Sequence, residues 1–394
     1  MEYNSIQLLK SLTTPQSTKI NKKIGFVDKL ILAMDKANNL TNKLMPFIPN
    51  PSITKFEKMP SISPPIIEVI SKEIVKNIYT SLKYVIEYNI NYPNIQTFTI
   101  SFYVTTKPTK KDLIEYSQRL YVVLNTISFF IVLMKTKNST KGLKYNHQNI
   151  YFFMTNLKKM LPSHKTELEQ YHVNTGYTAP HQGASDIVVY RKEEWYKVFI
   201  HEYVHNHHLD FSSLNSSFSK LTKKIYNINN DILFSEAMSE IWALSVNILM
   251  ISYLFKKYNM FSELHNVIPF EHTKKGVDYI FQYLLNAEIY FSILQTKKIL
   301  NYLNINYNTL FDKSKKIKFH NDNTNVCSYY LIKTIYIYFF IEMEYFLTLT
   351  NKKTTVQTFE RMAKHPHIIY LLNEKLPTDV FYTNSLKMCA LEIK

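Results

Sequence analysis

Hydrophobic periodicity predicts a small sheet in the first half of the chain and helices in the rest. Runs of β-branched and aromatic residues predict strands at 97–105, 149–154 and 186–190. A long helix is predicted at 110–135, between the first two strands. Apolar residues spaced three or four apart predict the other helices, at 26–44, 66–88, 235–257, 276–302, 328–349, 356–363 and from 371 onward. We therefore expect an α+β, helix-rich fold.

Proline clustering predicts how these elements are grouped. Six prolines between positions 46 and 65 predict an extended linker, because proline fixes φ and cannot donate a backbone hydrogen bond. The expected organisation is a basic N-terminal extension with this Pro-rich linker at 1–65, a sheet-containing subdomain at 66–210 and a mostly helical subdomain at 211–394.

The composition excludes few functions by itself. The formal net charge is +16, but the lysines are dispersed and accompany no helix-turn-helix, zinc-finger or RNA-binding motif. Nucleic-acid binding is therefore not predicted as the main function. Cys327 and Cys389 are too few for a disulfide framework or a cysteine metal site, which fits a reducing compartment.

Two apolar runs are predicted to be core helices rather than membrane spans. The run at 120–134 is shorter than the roughly 20 residues that a spanning helix needs. The run at 329–349 contains Lys333, Glu342 and Glu344. The first residues lack the basic-then-apolar pattern of a signal peptide. We expect a soluble, intracellular protein and leave its oligomeric state open.

The motif His201-Glu202-Tyr203-Val204-His205 carries the clearest chemistry. Residues four apart share one face of a helix, so the imidazoles of His201 and His205 can bind one metal ion together, at about 2.0–2.1 Å each if it is zinc. Glu202 lies about 100° around the helix, beside the ion, where its carboxylate can act as a general base toward a bound water. The helix is predicted to begin at Arg191.

The residues around the motif favour a metal site over a pair of ordinary histidines. The three residues before the motif, 198–200, are apolar, and so are Tyr203 and Val204 within it. The helix is therefore expected to be buried, where unpaired polar groups are costly. Gly176 and Gly183 lie in the approach to this helix. They indicate either a close backbone approach beside a cleft or an ordinary hairpin turn.

A third metal ligand is predicted on the next helix. Glu236 and Glu240 are four apart on a helix that is otherwise apolar, so a cation or hydrogen-bond donor must compensate them, unless they form a solvated stripe. Glu236 can bind the metal, and Glu240 can accept the free N–H of a ligand histidine. On a straight helix His208 lies too far from His201 to share the ion. Asp210 is expected to end the helix or to orient a neighbour.

These residues resemble the gluzincin class of zinc metallopeptidases, in which HExxH is followed by a glutamate ligand in an ExxxD or ExxxE helix. The resemblance covers roughly residues 95–255. It implies that His201, His205 and Glu236 bind one Zn²⁺, that Glu202 is the general base, and that Glu240 supports a ligand histidine. It also implies a zincin-like fold, with a small mixed sheet packed on the HExxH helix and the third ligand in the helical C-terminal subdomain.

The stretch from 173 to 212 is also similar to an uncharacterised protein family of large nucleocytoplasmic DNA viruses. The similarity lies in the VNTGYT turn, the RKEEW helix start and the adjoining HExxH segment. It implies a viral source, and hence the host cytoplasm or the virion, but no established activity.

The expected function is hydrolysis of a peptide bond in a peptide or protein substrate. Such an enzyme needs a donor for the developing oxyanion. The sequence offers six candidates and does not choose among them: Tyr177, His265, His272, His320, Tyr329 and Tyr330. The alternatives are a catalytically silent structural or interaction protein with a zincin fold and, less favoured, a basic nucleic-acid-binding protein.

Overall fold

A mixed, open sheet of six strands occupies the first half of the chain. The computed structural model describes residues 25–93, 95–135, 146–163, 168–180, 185–314, 316–317, 324–340, 352–374 and 384–393. The strands are β1 Ser52–Lys55, β2 Tyr84–Tyr92, β3 Gln96–Val104, β4 His147–Phe153, β5 Gly176–Thr178 and β6 Ile187–Val189. Their order is β1-β2-β3-β4-β6-β5. Strand β4 is parallel to β3 and β6, and the other neighbours are antiparallel. Strand β5 is therefore an edge strand.

Helices account for most of the remaining described residues. They are α1 Gly25–Leu44, α2 Pro64–Ile67, α3 Lys72–Ser81, α4 Lys110–Lys135, α5 Gln170–Val173, α6 Trp195–Asn206, α7 Asn215–Tyr226, α8 Phe234–Tyr258, α9 Phe270–Thr273, α10 Val277–Tyr302, α11 Lys333–Tyr338, α12 Lys352–Ala363 and α13 Pro366–Asn373. A π-helical segment, Ser328–Ile332, leads into α11. The prediction of an α+β, helix-rich fold with a small mixed sheet is confirmed.

Helix α4 links the parallel strands β3 and β4, as the periodicity predicted. Its start is fixed by a reciprocal cap, in which Asp112 Oδ2 accepts hydrogen bonds from the N–H and hydroxyl of Thr109 at 2.8 and 2.7 Å. Helix α1 packs on α4 and shares the main core with it. The predicted N-terminal extension thus contributes a core helix in its described part.

Helix α8 lies at the centre of the molecule. From Phe234 to Phe255 every residue except Glu236 is buried, and only the last turn, Lys256 to Tyr258, is exposed. Within the part of the chain that the structure describes, two helices, Lys110–Met134 and Phe234–Tyr258, are long and apolar enough to cross a membrane. The most apolar stretch of the first helix is mostly buried in the fold and that of the second is wholly buried, which agrees with core helices.

Several predicted elements are wrong in detail. The helix predicted at 66–88 is instead α2, α3 and the start of β2, because the apolar run from Tyr84 alternates against β3 rather than lying on a helical stripe. The passage predicted as an extended linker contains β1. Helix α13 ends at Asn373, and the described residues 384–393 are not helical. The predicted helix at 328–349 is helical to about residue 340, and its remainder lies outside the described residues.

Candidate metal centre

Helix α6 carries the HExxH motif through the interior. It begins at Trp195 rather than at Arg191, after Glu194 takes a left-handed backbone with φ 57°. It packs against α8 and against strands β5 and β6. Every residue from Trp195 to Val204 is buried, as the apolar flank predicted.

Three donor atoms converge where α6 faces α8. His201 Nε2 lies 3.1 Å from His205 Nε2 and 3.5 Å from Glu236 Oε2. His205 Nε2 lies 3.1 Å from the same carboxylate oxygen. Among the residues that the structure describes, this is the one cluster of His, Cys, Asp and Glu side chains with the spacing of a metal site.

Buried carboxylates fix the orientation of both imidazoles. Glu240 Oε1 lies 2.9 Å from His201 Nδ1, and Asp210 Oδ2 lies 2.7 Å from His205 Nδ1. Each Nδ1 therefore faces a carboxylate, and with the proton on Nδ1 each Nε2 lone pair is directed at the shared point. Glu240 is 3 % exposed, so it does not belong to a solvated stripe.

Glu202 is held beside the donor cluster and against the edge strand. A Cβ at Gly176 would lie only 3.0 Å from Glu202 Cγ and 2.8 Å from a Val198 methyl carbon. The glycine therefore marks a close backbone approach, one of its two predicted roles; Gly183 lies outside the described residues. Burial raises the pKa of Glu202 to about 6, against the opposing charges of His201 and His205. That value suits a group that takes and returns a proton near neutral pH.

The cluster opens into a cleft of about 300 Å³. Strand β5, helix α6, the start of α8 and the π-helical segment form its walls, which include Gly176, Tyr177, Thr178, Glu202, Glu236, Tyr329 and Met388. An irregular π-helical turn at such a position is common beside functional sites. One wall of the cleft is the outer edge of the sheet, and another carries the candidate catalytic groups.

Two of the predicted oxyanion donors line this cleft. Tyr329 hydrogen-bonds Glu236, and burial together with the charges of Glu236 and Glu202 raises its pKa well above 10. Burial and the charges of Glu202 and Glu236 also raise the pKa of Tyr177. Both phenols therefore keep their protons and can donate hydrogen bonds.

The other predicted donors lie elsewhere or outside the described residues. The Tyr330 hydroxyl donates to the Leu386 carbonyl, His265 hydrogen-bonds Asn259, and His272 packs on Tyr279. His320 lies outside the described residues.

The chain turns sharply after the motif. Helix α6 ends at Asn206, and His208 takes a positive φ of 54°. The straight helix assumed for the prediction therefore stops short of His208, which is exposed and stands outside the donor cluster. This turn brings Asp210 back onto His205, so Asp210 orients a neighbour, one of its two predicted roles.

Sequence reasoning missed Lys197. Its ammonium is 1 % exposed and lies 2.6 and 2.5 Å from the two oxygens of Glu240. Burial alone would raise the pKa of Glu240, but the Lys197 charge holds it well below its usual range. Lys197 lies four residues before His201 on an apolar helix, a spacing that could have indicated a partner for the supporting carboxylate.

Comparisons with protein-family models, with curated proteins and with solved structures found no match to this chain. The resemblance to gluzincins therefore stays a prediction.

Proposed function

We propose that this protein is a zinc-dependent metallopeptidase of zincin-like fold. His201, His205 and Glu236 would bind one Zn²⁺, with Glu202 as general base and Glu240 supporting His201. The observation that carries the proposal is the triangle of donor atoms, with sides of 3.1, 3.1 and 3.5 Å.

The triangle fits zinc in size and in chemistry. A tetrahedral ion with bonds of about 2.0–2.1 Å separates its donors by roughly 3.3–3.4 Å, close to the three sides. Two imidazole nitrogens and one carboxylate oxygen are a donor set typical of catalytic zinc, which keeps the fourth position for water or substrate. Zinc there would lower the pKa of a bound water to about 7 and polarise the substrate carbonyl.

The protein's own groups would perform the proton transfers. Glu202 takes a proton from the attacking water and delivers it to the leaving amine, which its pKa of about 6 permits in both directions. The hydroxyl of Tyr177, or that of Tyr329 once it turns from Glu236, donates to the oxygen that becomes negative in the transition state. The supporting carboxylates Glu240 and Asp210 keep both imidazoles in the orientation that the donor triangle needs.

The edge strand supports a peptide as the substrate. Strand β5 pairs with β6 along one edge, and its three residues Gly176, Tyr177 and Thr178 line the cleft. An extended peptide can add to the free edge through main-chain hydrogen bonds, which places its backbone alongside Glu202. Such recognition is largely independent of side chains and suits a peptide or protein substrate.

Metal analysis combined with one conservative substitution tests the proposal. Wild-type protein should hold one zinc per chain and cleave peptides from a mixed library. Glu202→Gln should hold the same zinc but lose at least about 100-fold in kcat, the contribution of a general base. Glu115→Gln, at an exposed position of α4, is the matched control. A zinc-loaded wild type with no more peptidase activity than Glu202→Gln would instead support the catalytically silent alternative.

A further inference from the structure

The described residues 384–393 pass through the interior beside α6. Every residue from Met388 to Ile393 is buried, yet the segment belongs to no helix, and its one strand-like contact is a bridge from Ser385 to Met160. Its main-chain polar groups must therefore find partners other than a regular ladder, because buried unpaired groups are costly.

Charged and amide side chains provide these partners. Two carboxylates accept four consecutive backbone N–H groups, at 2.7–2.9 Å: Glu194 those of Met388 and Cys389, and Glu288 those of Ala390 and Leu391. Further side chains donate to the segment's carbonyl groups: Lys298 to Ser385, Gln295 to Lys387, Lys333 to Met388, Asn247 to Leu391 and Trp195 to Ile393.

Such an arrangement defines a position more than it adds stability. Glu194, Glu288 and Lys333 are each at most 1 % exposed. Removing charged groups from water costs so much free energy that well-packed apolar residues at such positions often stabilise a fold equally well. What charges add is a unique register, because each peptide group of the segment meets one specific partner. Undocking would separate each of these groups from the partner that it contacts in the structure.

A short series of contacts joins the segment to the candidate metal centre. Met388 lines the cleft, and its sulfur lies 3.7 Å from the Lys197 ammonium. Lys197 holds both oxygens of Glu240, and Glu240 lies 2.9 Å from His201 Nδ1. Glu194, which binds two of the segment's N–H groups, directly precedes α6. The segment therefore contacts α6 both at its start and one turn before His201.

We propose that docking of residues 384–393 positions Lys197 and Glu240, and so controls how tightly His201 and its neighbours hold the metal. This inference rests on the proposed metal centre and extends it to the control of that centre. Here Glu194 and Glu288 are positioning residues, since they touch the segment and reach the metal only through it.

Zinc affinity of the full chain, measured by competition with a chelator, tests the coupling. Glu288→Met removes the acceptor for two N–H groups of the segment without touching the cleft, and it should weaken zinc binding about tenfold. Glu288→Gln keeps one acceptor oxygen, so its zinc affinity should lie between those of wild type and Glu288→Met. Thr41→Val, which removes a buried hydroxyl from α1, is the control for lost stability and should stay within about twofold of wild type. Equal affinities for Glu288→Met and Thr41→Val would overturn the proposal.

Hydrogen exchange of the wild-type chain tests the same coupling without a variant. Coupling free energies are reciprocal, so zinc must stabilise the docked segment as much as docking favours zinc. Zinc should therefore slow exchange of the amides at 388–391 about tenfold more than that of the α4 amides. Equal slowing in both regions would count against the coupling. If wild-type protein binds no zinc, both the proposed function and this inference are overturned. If it binds zinc tightly but neither the Glu288 variants nor amide exchange at 388–391 shows any coupling, only this inference is overturned.

Discussion

Replacing Lys197 by methionine should be costly, because it leaves a carboxylate buried without its counter-ion. Lys197 Nζ lies 2.5 Å from Glu240 Oε2, and the two side chains are 1 % and 4 % exposed. The exposed pair Lys223–Asp231 has nearly the same separation, 2.7 Å, with side chains 37 % and 75 % exposed. The two pairs therefore differ mainly in burial, and the same substitution in each isolates its effect.

The expected costs differ severalfold. Removing one partner of a buried pair costs about 3–5 kcal/mol of unfolding free energy, whereas an exposed pair contributes about 0–1 kcal/mol. Glu240 keeps its contact with His201 and the nearby charge of Lys333, which favours the lower end of the range. We expect Lys197→Met to lose about 3 kcal/mol and Lys223→Met less than about 1 kcal/mol.

Equilibrium denaturation in urea, with the metal removed by a chelator, measures both losses on one scale. Zinc affinity measured on the same samples should fall for Lys197→Met and stay unchanged for Lys223→Met. Lys197→Arg retains the charge and should recover part of both losses. Similar unfolding free energies for the two methionine variants would refute the reasoning, since burial would then not decide the strength of the pair.

Three further predictions concern single residues. Asp210→Asn weakens the carboxylate contact to the second histidine and should lower zinc affinity about tenfold, whereas Asp231→Asn at an exposed site should not; isothermal titration compares them. Burial raises the pKa of Glu288 to about 7 from 4.5, so the folded state keeps a proton that the unfolded chain releases. The contribution of Glu288 to the free energy of unfolding is fully present below pH 4.5 and should fall by about 3 kcal/mol as pH rises through 7. Denaturation measured at pH 4–8 should show this fall in wild type and not in Glu288→Gln. Gly176→Ala would place a Cβ 2.9 Å from a backbone oxygen and should cost about 1–3 kcal/mol, whereas at Gly276 the new Cβ meets only the end of a flexible side chain, so Gly276→Ala should cost less than about 1 kcal/mol by thermal unfolding.

Long apolar helices were predictable from the sequence. Helix α4 was predicted at its observed bounds, and the helices later found at 234–258 and 277–302 within about one residue, because apolar runs of this length are too long for strands. Strands β1 and β5 were missed because each has four residues or fewer and lies at a sheet edge. They are strands because they pair with β2 and β6, and no local sequence pattern reveals that pairing.

The donor cluster was predictable because its members are close in sequence or share a helical spacing. His201 and His205 are one turn apart, and Glu236 and Glu240 repeat that spacing on the next helix. Lys197 and the segment 384–393 were not predicted. Lys197 contacts Glu240 across two different helices, and the contacts of the segment join residues nearly 200 positions apart. A buried non-helical segment also has no periodicity of its own.

The most direct measurement is the anomalous scattering of crystals, recorded on both sides of the zinc absorption edge. One peak per chain should lie within about 2.0–2.1 Å of His201 Nε2, His205 Nε2 and a Glu236 oxygen, with Glu202 beside it and not bound. A crystal of zinc-saturated protein without a peak at this point, or with zinc held by other residues, would contradict the metal centre on which the proposed function rests.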